Sequence, residues 1–339
     1  MPLKKGFSCS PTGLCSLKCV MRLKAYVLFL WCLALVSWAS NNTKEQAHLL
    51  ITEVQQKIRS PASASNRAEV LKIQEPMAML LLGMLHTPMD TQTQYRWVEL
   101  LALLSQPASA HYFLNTLESE DAYLRMLAAT ALGQLRVQAA LPKLLKMLED
   151  ERLALRKEAA VALGKLKLKQ AGKPLVAALQ LEAEPEVRER MLWALGMLND
   201  KNNLPSMQSF LTHSSESTRW AAAKALLAMG ELSGWRWVKP RLSSPEDREC
   251  AYALLSLEEA VPNKSWRAEA LALLHPIMKE REASLAASAA LLAVRWGDNA
   301  AKVWLEAKAQ QSQDAQWRIY EEALAKARQA LANFPEKPF

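Results

Sequence analysis

A nine-residue phrase recurs at a nearly constant interval, and this constrains the fold more tightly than any other feature of the chain. It reads Arg125-Met-Leu-Ala-Ala-Thr-Ala-Leu-Gly133, then Arg156-Lys-Glu-Ala-Ala-Val-Ala-Leu-Gly164. It returns as Arg188-Glu-Arg-Met-Leu-Trp-Ala-Leu-Gly196 and as Arg219-Trp-Ala-Ala-Ala-Lys-Ala-Leu-Leu227. The four arginines are 31, 32 and 31 residues apart. Weaker copies flank them at Arg96–Leu104, at Asp247–Leu255 with Arg248 displaced by one, and at Ser284–Leu292.

A second segment with helical spacing lies between successive phrases, as in 140–148, 172–179 and 203–211. Pro142, Pro174 and Pro205 fall in its first turn, where a missing N–H is tolerated. Asp121, Glu184 and Glu216 precede the Arg phrases and suit the positive end of a helix. The unit is therefore a pair of antiparallel helices. Neither helix can bury its apolar face alone, so neighbouring pairs must stack into an all-α solenoid. Gly133, Gly164 and Gly196 share one offset, eight after the arginine. A helix-interior glycine costs about 1 kcal/mol relative to alanine, so its repetition predicts a neighbouring backbone passing there. Composition agrees: 10 glycines and 16 prolines in 339 residues are too few for a turn-rich all-β fold.

These phrases resemble the short bacterial HEAT repeats, the type also found in phycobilisome lyases and deoxyhypusine hydroxylase. The resemblance is strongest over 119–230. It implies an α-α superhelix (armadillo-like) whose second helices line a concave, protein-binding side. It does not by itself imply an activity.

The predicted organisation is a signal peptide at 1–39, an N-terminal helix and linker at 40–66, the solenoid at 67–333 and a tail at 334–339. The signal reading rests on Met21-Arg-Leu-Lys24, the uncharged run Ala25–Ala39 and Ser37-Trp-Ala39 before Ser40. Met1 and Met21 are both candidate starts, and residues 1–20, unlike any part of a signal, favour Met21. Export to the periplasm or outside the cell follows as an expectation. The alternative is a retained anchor at 25–39, which is short for a span of about 20 residues. Membrane contact is expected only in that case. Four of the five cysteines (Cys9, Cys15, Cys19 and Cys32) lie in the leader, leaving Cys250 without an internal disulfide partner.

The net charge of +8 suggests nucleic acid until it is located. Residues 1–39 carry five bases and no acid, and what remains is concentrated in 121–230. No nucleic-acid partner is expected. Lys165, Lys167, Lys169 and Lys173 form a basic patch at an inter-repeat turn, a candidate contact for an acidic partner or anionic lipid.

No nucleotide, hydrolase or metalloprotease motif is present. The hydroxylase relatives use His-Glu dipeptides for iron, and none of the five histidines here is followed by Glu. Glu45 and His48 have the spacing of a di-iron motif, but a site needs two such motifs. No catalytic residue, metal or cofactor is therefore expected. The alternative is a HEAT-like lyase or hydroxylase.

The surface is then the candidate site. If positions three, seven and ten after each arginine face the core, the first and fifth face away at 100° per residue. The first column reads Trp97, Met126, Lys157, Glu189, Trp220 and Arg248, and the fifth Leu101, Thr130, Val161, Trp193, Lys224 and Tyr252. Four of these twelve are aromatic, where a 7% aromatic chain would give about one. Exposed Trp, Tyr, Met and Arg anchor protein interfaces. The predicted function is a non-catalytic scaffold that grips a protein or peptide along this stripe.

Overall fold

The computed structural model describes residues 88–258 and 265–311, with shorter stretches at 75, 78–79, 81–86, 260, 318–323 and 325–326. The predicted signal peptide, the helix and linker at 40–66, Glu45, His48 and the tail at 334–339 lie outside the described residues. Every regular element among the described residues is helical. The chain forms two compact units, residues 1–131 and 132–339.

The first unit holds α1 (Thr91–Leu104), α2 (Ala110–Thr116) and most of α3 (Ala122–Leu135). The second continues with α4 (Leu141–Met147), α5 (Leu153–Leu166), α6 (Gly172–Leu181), α7 (Pro185–Leu198), α8 (Leu204–Ser209) and α9 (Glu216–Ala228). It ends its described part with α10 (Leu232–Leu242), α11 (Asp247–Leu257), α12 (Arg267–Glu280), α13 (Ala283–Arg295) and α14 (Asn299–Gln311). In this second unit α7 packs on α5 and on α9, α9 on α11, and α11 on α13. The second helices of successive pairs thus form one continuous layer, as the 31-residue period requires. Positions three, seven and ten after Arg156 and Arg188 are all buried.

The repeated glycines behave as their spacing predicts. A Cβ on Gly133 would lie 2.8 Å from Ala162 Cα, one on Gly164 2.9 Å from Ala194 Cα, and one on Gly196 3.2 Å from Ala225 Cα. Each glycine thus faces the alanine six places after the next arginine. Only a hydrogen there lets the two backbones meet.

The arginine is a clamp. It is the fourth residue of α3, α5, α7 and α9, and it reaches back to the two carbonyls six and five residues before it. Arg156 donates to the Asp150 and Glu151 oxygens at 2.9 and 3.0 Å. Arg188 donates to Glu182 and Ala183 at 2.8 and 2.6 Å. Arg219 donates to His213 and Ser214 at 2.8 and 2.9 Å. Arg125 makes the same pair with Ser119 and Glu120. A cation in a helix's first turn opposes the helix dipole by about 0.3–1 kcal/mol. Two charge-assisted hydrogen bonds at about 1.5–3 kcal/mol each outweigh that. The clamp satisfies carbonyls just beyond the first helix of each pair and fixes the turn to the second.

Eleven places after each arginine the backbone turns left-handed, at Arg136, Lys167, Asn199 and Gly230 (φ 54, 55, 48 and 73°). The N–H of each bonds the carbonyl three residues back and closes the helix. Asp121, Glu184 and Glu216 all stand at helix N-termini, as expected, but they act differently there. Asp121 accepts from the Tyr123 and Leu124 N–H groups. Glu184 makes no side-chain cap, and Ser215, not Glu216, caps α9 through the Thr218 N–H.

In the fifth pair the fourth residue of α11 is Cys250, so the phrase register begins there and not at Asp247. Its Sγ bonds the Leu242 carbonyl at 3.4 Å. The two carbonyls an arginine would have clamped, Ser244 and Pro245, are held by Arg281 at the end of α12, which also pairs with Asp247 at 2.7 Å. From here on tryptophans fill the core. Trp266 stacks on Trp235 at 5.0 Å and meets Trp296 edge-on at 5.7 Å.

Candidate functional site

A groove of about 540 Å³ opens across α7, α9 and α11 in the second unit. Its walls are second helices of three successive pairs: α7 meets α9 where Gly196 faces Ala225, and α9 packs on α11. Six predicted stripe residues meet in it: Glu189 and Trp193 from α7, Trp220 and Lys224 from α9, and Arg248 and Tyr252 from α11. Tyr252 is 43% exposed, and Leu255, one turn on, is 53% exposed.

The aromatic wall is braced from behind. Trp220 meets Trp237 of α10 edge-on at 4.8 Å and lies 5.7 Å from the Tyr252 ring. The Arg241 guanidinium stacks 3.4 Å above the Trp237 ring and pairs with Glu249 at 3.4 Å. Burial lowers the Arg241 pKa, with Arg219 adding to that, while Glu249 and Glu216 oppose it. Trp220 donates its indole N–H to Glu216 at 3.3 Å, and Arg248 lies 5.8 Å from the Tyr252 ring centroid. The Trp193 ring covers Gly164, where a Cβ would come within 2.8 Å of it.

The other six predicted stripe residues lie elsewhere: Leu101 is wholly buried in the core, and Thr130 and Val161 are half-buried. Trp97 is only 7% exposed and belongs to the core of the first unit. The reason is register: Arg96 is the sixth residue of α1, not the fourth, so the position after it turns inward. The outward register positions of α1 are Tyr95 and Glu99, which bond Asp121 and Tyr123 of α3. The hydrogen bond to Glu99 pushes the Tyr123 pKa up to about 12. Met126, in the first unit, is half-buried. Lys157 is half-buried and pairs with Glu186 at 2.8 Å, which lowers the Glu186 pKa. In the basic patch Lys167, Lys169 and Lys173 are exposed and Lys165 is half-buried. None of the four lines the groove.

The groove also takes in Arg190, Met197, Ser217 and Leu255, which the two-column reading omits. Positions two before, two after and nine after the arginine project at about 160°, 200° and 180° on a helical wheel. A stripe centred there finds Ser217, Arg190 and Met197. Arg248 and Tyr252 were reached through a register three residues off, which rotates a helix by only about 60°.

Among the described residues no cluster of three or more His, Cys, Asp or Glu is arranged to hold a metal ion. No described helix is long and apolar enough to cross a membrane.

The family model for HEAT repeats matches residues 79–164, 110–184 and 172–258, together more than half of the chain. None of the curated proteins matches. Among solved structures the chain is similar to the complex of CpcE and CpcF of phycocyanin lyase from Nostoc sp. PCC7120. The identity is 24% over 74% of this chain and 94% of that one, with a TM-score of 0.47. A designed armadillo repeat protein is 18% identical over 53% of this chain and 98% of its own, with a TM-score of 0.37. Human deoxyhypusine hydroxylase in complex with glycerol is 18% identical over 77% and 98%, with a TM-score of 0.31.

Proposed function

The chain belongs to the HEAT-repeat family, and from that premise we propose that it is an exported, non-catalytic scaffold that grips a protein or peptide in the α7–α9–α11 groove. The observation that carries the reading is the convergence of Trp193, Trp220 and Tyr252 on one open groove with charged neighbours. Large aromatic side chains with both apolar area and a polar atom are the residues that anchor interfaces. Tyr252 and Leu255 leave apolar surface in water that a partner would cover.

The direct test is affinity capture from an envelope extract with the wild-type chain and with a Trp220→Ala/Tyr252→Ala variant. Both rings are partly exposed, so the variant keeps its helical circular dichroism and loses the partner. A folded variant that captures the same partner equally well refutes the groove. Export is tested separately by fusing residues 1–45 or 21–45 to a reporter active only after translocation. Activity from both fusions supports the signal and a start at Met21. Inactivity of both refutes export.

A further inference from the structure

We infer that the turns joining one helix pair to the next form a basic edge that docks on an anionic lipid bilayer. This is a contact of the folded solenoid, not of an anchor, and it does not rest on the groove.

Three successive turns make the edge: residues 134–143, 165–174 and 197–206, all in the second unit. They carry Arg136, Lys165, Lys167, Lys169, Lys173 and Lys201, against one acid, Asp200. Lys143 lies there too but has an interaction of its own and is left out of the sum. Among the described residues none of the six cations forms an ion pair or a side-chain hydrogen bond. All but Lys165 are exposed. The turns at the other end of the same pairs differ. Glu149, Asp150, Glu151, Glu182 and Glu184 lie there with Arg152, and the guanidiniums of Arg156 and Arg188 reach in among them. Charge is largely neutralised at that end and left open to solvent on the basic edge.

The backbone singles out two of these cations. Arg136 and Lys167 take the left-handed position that closes α3 and α5, where the next two pairs use Asn199 and Gly230. Asn and Gly are the residues this conformation favours, so a long side chain sits there at a cost. Lys169 and Lys201 both open the short 3-10 turn that follows. Register thus sets the cations in rows on pairs about 8–10 Å apart, close to one Debye length. A helix C-terminus attracts a cation, which accounts for one per turn. The turn at 165–174 has four.

A field of one sign fits a surface of one sign. A protein partner is put in register by charges of both signs. Single-stranded nucleic acid is held by aromatic rings on which its bases stack. These turns hold one acid and no aromatic residue. Five of the six cations are lysines, point charges on flexible stems that settle among lipid headgroups without needing one fixed geometry.

The test compares the full chain with Lys167→Gln/Lys169→Gln/Lys173→Gln, its fold checked by circular dichroism. Both are mixed with phosphatidylcholine vesicles made with and without phosphatidylglycerol. Sedimentation should show binding to the anionic vesicles that weakens about a hundredfold in the variant, about fivefold per lysine. Lysine acetylation read by mass spectrometry should find Lys167, Lys169, Lys173 and Lys201 protected on anionic vesicles, while exposed Lys279 at the end of α12 stays reactive. This footprint decides the matter where residues 25–39 hold both chains on the vesicles. Edge lysines as reactive on anionic vesicles as in solution overturn the inference. So does equal protection on neutral vesicles, or no binding to either kind. Duplex DNA or polyglutamate bound more tightly than anionic vesicles, and lost in the variant, would also overturn it, with a nucleic acid or an acidic protein as the occupant.

Discussion

Residues 132–230 and 231–311 build the same stacked helix pairs from opposite materials. In the first stretch the second helices meet through glycine and alanine, and each turn is clamped by an arginine of its own pair. In the second stretch the core is filled by Trp235, Trp266 and Trp296, and the corresponding turn is clamped by Arg281 from the following pair. The first helices change as well: α4, α6 and α8 have 7, 10 and 6 residues, whereas α10 and α12 have 11 and 14 and carry Pro240 and Pro276 inside. A period in sequence is thus one of two ways to hold a period in space. Small residues set the spacing by contact, and large rings set it by filling.

The two modes should fail differently. Trp266 is wholly buried, stacked on Trp235 and edged by Trp296. Trp266→Ala leaves a cavity and should cost about 3–5 kcal/mol in urea unfolding. A loss below about 1 kcal/mol would mean that the rings are not what fills this stretch. In the small-residue stretch the damaging change is the reverse. Gly164→Val would drive a side chain into the Ala194 backbone and the Trp193 ring, costing about 1–3 kcal/mol by overpacking. Gly164→Ala should cost less, and the order of the two losses measures how far α5 and α7 can part.

How much of this was legible follows from the same contrast. The small-residue mode writes itself into the sequence, because a clamp and a close approach must recur at fixed offsets. The period, the pairing of helices and the meaning of Gly133, Gly164 and Gly196 could all be read there. So could Trp193 and Trp220 in the groove, whose register the arginines fix. The large-residue mode keeps the interval but not the phrase. Trp235, Trp266 and Trp296 are 31 and 30 residues apart, yet no phrase around them repeats. Cys250 in an arginine's place hid the fifth register, and the replacement by Arg281 is a contact in space. At the other end Arg96 opens a copy of the phrase but stands two residues late in α1. Trp97 was therefore read as surface when it is core.

That substitution of one clamp for another gives a sharper test than either deletion. Arg281→Ala should cost about 1–3 kcal/mol by leaving the Ser244 and Pro245 carbonyls without their charged donor. Cys250→Arg alone would place two guanidiniums at one pair of carbonyls and should destabilise. Combined, the change restores the clamp geometry of Arg156, Arg188 and Arg219. The double variant should be more stable than the sum of the singles predicts, by about 1 kcal/mol or more. Strict additivity in a double-mutant cycle by urea unfolding would show that the two clamps are unrelated.

The smallest expected effect separates the stretches by pH. Glu182 ties the small-residue stretch together. It accepts the Arg156 guanidinium through both oxygens at 2.8 and 3.0 Å, while its own backbone carbonyl is clamped by Arg188. Burial raises the Glu182 carboxyl pKa, but the Arg156 hydrogen bond and neighbouring backbone N–H groups outweigh it, leaving it below its usual 4.5. The unfolded chain therefore takes up this proton at a higher pH than the folded one. The stabilisation is complete above about pH 4.5 and drains away as pH falls through the lower folded value. Glu182→Gln should thus lower stability at pH 7 and lessen its decline below pH 4.5, as followed by melting temperature. Trp235 donates to Glu269 in the large-residue stretch, but that carboxylate is exposed at its Lys239 pair. Glu269→Gln should change the acid slope less than Glu182→Gln does. An equal change would mean that the buried pair is screened as fully as the exposed one, and that the clamped stretch has no electrostatic signature of its own.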